Sequence, residues 1–167
     1  MFKCESRAYQ RLRERGLCKR HLVPEFFGVV EQIDPRLWQP YLNVFLEDGL
    51  HPNAVVMEYI PNMREFDLDS FSLSRLQRCQ SILDEIHAAR VLHSDPYPRN
   101  IMVQEETDRV LWIDFDRAQT YAEDKPLTSK QEKSVATETA IMYAFAGAIV
   151  CEALDFEILM RRLRVVS

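Results

Sequence analysis

Three side chains in the middle of the sequence stand at spacings suited to phosphoryl transfer. Asp95 is followed five residues later by Asn100. Asp114 follows Asp95 by nineteen residues, at the end of a short apolar run, Val110-Leu111-Trp112-Ile113. One carboxylate to handle an acceptor hydroxyl, with an amide and a second carboxylate to hold magnesium, is the division of labour this chemistry needs. Each residue also has a plainer reading. Asp95 precedes Pro96 and is placed to make an Asx-turn, and Asp114 to cap a turn. A carboxylate closing a buried strand, however, needs a cation or hydrogen bonds to offset its desolvation.

Composition narrows the classes. The chain has 167 residues, enough for one domain with a real core or one and a fraction. Apolar residues make up 47% and charged residues 28%, as in ordinary globular proteins. The net charge of −5 gives no global basic field, so no nucleic-acid partner is expected. The basic stretch Arg161-Arg162-Leu163-Arg164 reads as a solvated helix end. Cys4, Cys18, Cys79 and Cys151 are scattered without a CxxC spacing, which points to reduced thiols and a cytoplasmic location. The N-terminus is charged from Lys3 and lacks a signal peptide's apolar segment. The longest apolar run, Ala140 to Cys151, is too short to span a bilayer. It is expected to be a buried core helix, with no membrane partner.

Periodicity supplies the elements that must position these groups. Residues 3–15 read as a helix, with Cys4, Glu5, Ala8, Tyr9 and Leu12 on one side and Gly16 as its stop. Residues 25–33 and 53–60 read as strands, and Tyr41 to Leu46 as a further possible strand. Ser72 is a fair N-cap for a helix to about residue 89, with Leu76, Cys79, Leu83 and Ile86 as its stripe, widened by Leu73 and Ile82. Ile101–Val103 and Val110–Ile113 form a small hairpin. Residues 129–152 make a helix apolar nearly all round at its centre. Phe156, Leu159, Met160 and Leu163 mark a last amphipathic helix. The pattern is α+β, with the polar constellation on loops between rigid elements.

That order and those residues resemble the protein-kinase-like superfamily. The likeness runs through Ile86-His87, Val91-Leu92-His93-Ser94-Asp95, Asn100 and Ile113-Asp114-Phe115-Asp116. Val56-Met57-Glu58-Tyr59-Ile60-Pro61 looks like the family's hinge, and the first helix, with Glu5, like its αC helix. Protein kinases usually carry Arg where Ser94 stands, Leu-Lys where Pro96-Tyr97 stands, and DFG where this chain has DFD. The form is closer to aminoglycoside- and choline-kinase-type phosphotransferases, and similar to the small atypical kinase-like proteins common in fungi. The resemblance implies a reduced N-terminal lobe over residues 1–60, made of the αC-like helix and two or three strands. Residues 61–167 would form a mainly helical C-terminal lobe.

By the same resemblance, Asp95 is the catalytic base. Arg99 stands in for the absent loop lysine, touching phosphate or Asp95, with a structural ion pair as its alternative. Asn100 and Asp114 would hold Mg2+. Met57 would be the gatekeeper, and the Glu58 carbonyl and Ile60 amide would bind the adenine of ATP. His93 and His87 read as structural, and Asp116 as a loop carboxylate beside Arg117. Glu5 faces the core and wants a cationic partner, in the family a lysine on the third strand. Neither that strand nor a glycine-rich loop occurs among these residues. The expectation is an N-terminally shortened ATP- and magnesium-dependent phosphotransferase, incomplete or inactive in this form. The alternative is a pseudokinase, a binding module without turnover. A hydroxyl of a protein or small molecule would be the acceptor.

Overall fold

The computed structural model describes residues 2–164, and the side chains of its last helix as far as Asp155. Helix α1 spans Phe2–Glu14 and buries Ala8, Tyr9 and Leu12. Gly16 follows at φ 78, a left-handed conformation that suits glycine and ends the helix. Cys4, expected on the apolar side, is exposed. It lies in the first turn, ahead of the stretch that packs. Strands β1 (Phe26–Val30) and β2 (Ala54–Met57) pair antiparallel, with a register shift between Phe26 and Gly28.

The strand expected over Tyr41 to Leu46 is absent. The chain between β1 and β2 instead makes two 3-10 turns, Pro35–Trp38 and Asn43–Phe45. Pro35 starts the first turn, and Asp34 caps it by accepting from the Arg36 amide at 3.0 Å. Leu37, Tyr41, Val44 and Leu50 around these turns are each about four-fifths exposed.

Strand β3 (Met63–Glu65) was not legible in the sequence. It pairs with β5 (Ile101–Gln104), which pairs in turn with β6 (Arg109–Trp112) in a three-stranded antiparallel sheet. Helix α2 (Leu73–Ala88) starts where expected, with Ser72 Oγ accepting from the Arg75 amide at 3.2 Å. Leu76, Cys79, Ile82, Leu83 and Ile86 are buried along it, but Leu73, in its first turn, is 62% exposed. Two-residue strands β4 (Val91–Leu92) and β7 (Gln119–Thr120) close a third small sheet.

Helix α3 runs unbroken from Ser129 to Arg164, where two helices were expected. It is not buried all round. Met142, Ala146 and Ile149 face the core, while Tyr143 is 58% exposed. Alanines and a glycine interleave with the large residues, so the sequence is apolar on every side but has packing volume on one. Its Ser129–Asp155 part is long and apolar enough to cross a membrane by length and composition, so the length argument from the sequence fails. In this fold it packs against α2 and β4. The stripe from Phe156 to Leu163 lies outside the described side chains.

One core joins these pieces. Tyr9 of α1 packs edge-on to Phe115 at 5.1 Å and against Phe26 of β1. Trp112 of β6 is fully buried and donates Nε1–H to the Cys79 carbonyl at 3.0 Å, tying the hairpin to α2. The architecture is a reduced α+β kinase-like fold: a helix and a two-stranded sheet, then a larger lobe of two long helices and small sheets.

Candidate active site

The polypeptide from β4 to β5 forms the loop that carries Asp95. Pro96 and Pro98 lack the N–H groups that a helix or sheet would use there, and a 3-10 turn over Pro98–Asn100 leads into β5. The turn returns Asn100 under Asp95. Asn100 Nδ2 donates to the Asp95 carbonyl at 2.8 Å and to its Oδ2 at 3.0 Å. The amide's carbonyl oxygen is thereby left facing away from Asp95. Both residues are buried, at 7% and 3% exposure.

Arg99 completes the group. Its Nη2 donates to both carboxylate oxygens of Asp95, at 2.7 and 2.8 Å, and its guanidinium lies over the Tyr97 ring at 4.8 Å. Burial pushes the Asp95 carboxyl up. The bonds from Arg99 and Asn100 and the charges of Arg99 and Arg117 outweigh it, so the group sits below the usual carboxylate range.

The β5–β6 register brings in the second carboxylate. Ile101 pairs with Trp112, and beyond that pair the Ile113 amide donates to the Asn100 carbonyl at 2.9 Å. Asp114 therefore emerges directly beside Asn100. It is not the buried strand end expected from the sequence. The strand stops at Trp112, the chain turns with Asp114 at φ 62, and the side chain is exposed. An aspartate tolerates that left-handed geometry better than most residues. Among the described residues its Oδ1 accepts only a long bond from the Asp116 amide, 3.4 Å.

Glu5 faces this corner from α1. Burial raises its pKa, and the charges of Asp114 and Asp116 raise it further. These carboxylates oppose one another's charge, and none of them makes a salt bridge among the described residues. Among the described residues no three His, Cys, Asp or Glu side chains form a metal-binding cluster. The donors present, one exposed carboxylate and one free amide oxygen, are hard oxygens. They fit a magnesium ion that keeps its remaining positions for water and phosphate oxygens.

The residues expected to form the hinge have contacts of their own. Met57 is half-buried against the core, and Ile60 is 5% exposed. Glu58 is bound by both terminal nitrogens of Arg109, at 2.8 and 3.1 Å, and its own amide donates to the Glu25 carbonyl at 2.8 Å. The Arg109 bonds hold the Glu58 carboxyl below its ordinary range. The Glu58 carbonyl and Ile60 amide make no backbone hydrogen bond among the described residues. No hydrogen bond links Met57, Glu58 or Ile60 to Asp95, Asn100 or Asp114 among the described residues.

His93 is fully buried between Trp112 and Phe115, with ring centroids 5.2 and 4.6 Å away. Burial lowers its pKa, and its Nε2–H donates to the Ile113 carbonyl at 2.9 Å. The neutral ring therefore ties the Asp95 loop to the Asp114 turn.

Sequence reasoning missed Glu138. This α3 carboxylate is 3% exposed and accepts from the His93 amide at 3.1 Å and the Ser94 amide at 2.6 Å. His87 Nε2 lies 2.6 Å from it. Ser94 stands at φ 67, a left-handed conformation costing about 1–3 kcal/mol for such a residue, and the carboxylate holds it there. A signal was present. Glu138 lies four, eight and eleven positions before Met142, Ala146 and Ile149, in phase with the buried face of α3.

A loop aspartate bonded to an asparagine five residues on, with a DFD turn beside it, fits a kinase-like lobe. The lipopolysaccharide kinase (Kdo/WaaP) family model matches residues 46–132, a little over half of the chain and inclusive of Asp95, Asn100 and Asp114. The chain belongs to that family, within the protein-kinase-like superfamily. No curated protein matches it.

Proposed function

We propose that the chain is the catalytic part of an ATP- and magnesium-dependent phosphotransferase with a small-molecule hydroxyl acceptor. Its motifs resemble those of aminoglycoside- and choline-kinase-type enzymes. The observation that carries this reading is the hairpin register, which sets Asn100 and Asp114 side by side while Asn100 holds Asp95. The family's name, a lipopolysaccharide kinase, favours a sugar hydroxyl over a protein side chain.

In the reaction, the acceptor oxygen forms a bond to the γ-phosphorus and the bond to the ADP oxygen breaks. Asp95 accepts the hydroxyl proton and returns it to water. Magnesium bound at Asp114 and Asn100 would neutralise charge on the phosphates. Arg99 orients the Asp95 carboxylate and supplies a cation close to the transferred group. These are positioning and charge-neutralising roles, which carry most of phosphoryl-transfer catalysis.

A second reading, a pseudokinase, is favoured by one observation: both oxygens of Asp95 are already engaged, by Arg99 and Asn100. A carboxylate so held is a weaker base unless Arg99 swings away. Thermal unfolding with ATP, with and without magnesium, tests the first reading, followed by turnover on a panel of sugars. Stabilisation by magnesium-ATP together with turnover that Asp95→Asn abolishes supports the enzyme. Stabilisation without turnover supports the pseudokinase, and no stabilisation overturns the enzyme reading.

A further inference from the structure

Two cavities border the loop that carries Asp95. One lies between that loop and the first turns of α3, lined by Lys130 and Lys133. The other, of about 540 Å3, lies farther along the same helix, between α3 and the chain that follows β3. Its lining is largely apolar. Phe66 and Phe145 meet edge to face at 6.1 Å, with Leu68, Ile149 and Pro98 of the Asp95 loop also lining the space. Leu68 is 47% exposed, so this apolar groove opens to solvent.

The polar part of the lining is acidic. Glu65, Asp67, Asp69 and Glu152 all contribute to it. Asp67 and Asp69 share one cation, Arg64, which also reaches Glu105. Glu65 and Glu152 make no ion pair among the described residues. The surface complementary to such a groove is an apolar stripe flanked by cations.

The chain carries that surface itself, past the turns of α3 that line the cavity. Phe156, Leu159, Met160 and Leu163 fall at i, i+3, i+4 and i+7, in helical phase with Phe145, Ile149 and Glu152. By the same period Arg162 and Arg164 fall on either flank of the stripe and Arg161 behind it. The stripe cannot fold back onto its own cavity. Helix α3 is continuous from Ser129 to Arg164, and a rise of about 1.5 Å per residue sets Arg164 about 18 Å beyond Glu152.

We infer that the cavity receives the C-terminal turns of α3 from a second copy of the chain, in a two-fold symmetric dimer. Each copy has one groove and one stripe, so a single antiparallel pairing of the two helix ends fills both grooves. Centred on residue 156, that pairing sets Ile149 of one copy opposite Leu163 of the other, and Glu152 opposite Met160. Arg162 and Arg164 then close on the acidic lining.

The test is sedimentation velocity on the full chain with a charge swap. The wild type is expected to sediment as a dimer, and to dissociate at about tenfold or more higher concentration as salt rises from about 50 to 500 mM. E65K/E152K and R162E/R164E should each be monomeric, because groove and stripe then repel. Mixed in equal amounts they should form a dimer, since both contacts of the mixed pair are attractive. R161E, altered behind the stripe, should stay dimeric. Thermal unfolding of each variant within a few degrees of wild type establishes that monomers are folded. A wild type that is monomeric at about 100 μM overturns the dimer. So does either charge-reversed pair that remains dimeric alone, or a mixture of folded variants that remains monomeric. A monomer that floats with vesicles of anionic phospholipid, and loses this in R162E/R164E, assigns the basic helix end to a membrane surface and overturns the dimer as well.

Discussion

Substituting Glu138 should unfasten the loop that carries Asp95. In Glu138→Ala, the His93 and Ser94 amides and the His87 ring lose their shared acceptor at once. A buried donor left without a partner costs about 1–3 kcal/mol, and bonds to a charged acceptor lie at the upper end. Ser94 is only half-buried, so water restores part of its loss. The expected loss is then about 3–5 kcal/mol, a large share of the roughly 5–15 kcal/mol that holds a domain folded. For a chain of this length that lowers the melting temperature by about 10 °C or more.

Glu138→Gln keeps the volume, so whatever it loses comes from charge and donor geometry rather than from a cavity. It should fall between wild type and alanine. Chemical unfolding gives the energies, and amide hydrogen exchange gives their location. Protection at His93 and Ser94 should drop in both variants while the α2 core at Leu83 and Ile86 exchanges as before in the glutamine variant. A loss below about 1 kcal/mol in Glu138→Ala, or unchanged exchange at Ser94, would refute the argument that this carboxylate holds the left-handed turn before Asp95.

Two further outcomes follow from burial and charge. Cys4 and Cys151 are exposed, whereas burial pushes the Cys18 thiol up to about 11 and the Cys79 thiol up to about 12. A thiol-reactive chromophore should label two cysteines quickly in the native protein and four in denaturant, and rapid labelling of a third would contradict the packing under α1 and α2. Glu5 has its folded pKa raised by burial and by Asp114 and Asp116, so its ionised form lowers stability above the carboxylate range, and that penalty fades as pH falls through the raised value. Glu5→Gln should therefore melt about 2–4 °C above wild type near neutral pH, with the gap closing in acid. A gap that is independent of pH, or a lower melting temperature at neutral pH, would show that the three carboxylates do not repel one another.

The sequence displayed the polar cluster better than the architecture, for a physical reason. Asp95, Asn100 and Asp114 are set by local geometry: a proline-stiffened turn brings Asn100 back to Asp95, and a short hairpin brings Asp114 back to Asn100. Local spacing in the chain therefore maps onto spacing in the site. Helix α2 was legible on the same terms, because its cap and stripe lie in its own sequence. Strands β3, β4 and β7 were not, since two or three residues carry too little periodicity to show, and each exists only through a distant partner.

Helix α3 shows how composition misleads where phase does not. Its run from Ala140 to Cys151 is apolar at almost every position, which invites burial on every side. Burial follows volume at a fixed helical phase instead. Met142, Ala146 and Ile149 meet α2 and the core, and the alanines and glycine between them turn outward. Extending that phase backward by one turn reaches Glu138, a carboxylate in a position meant for a core residue. A charge there is tolerable only if donors await it, and the polar backbone of the catalytic loop supplies them. The misfit between residue type and phase thus locates the point where the long helix grips the loop of Asp95. The same helix, one to two turns nearer its start, presents Lys130 and Lys133 beside that loop. Anchoring the loop and lining the adjacent cavity therefore fall to one rigid element.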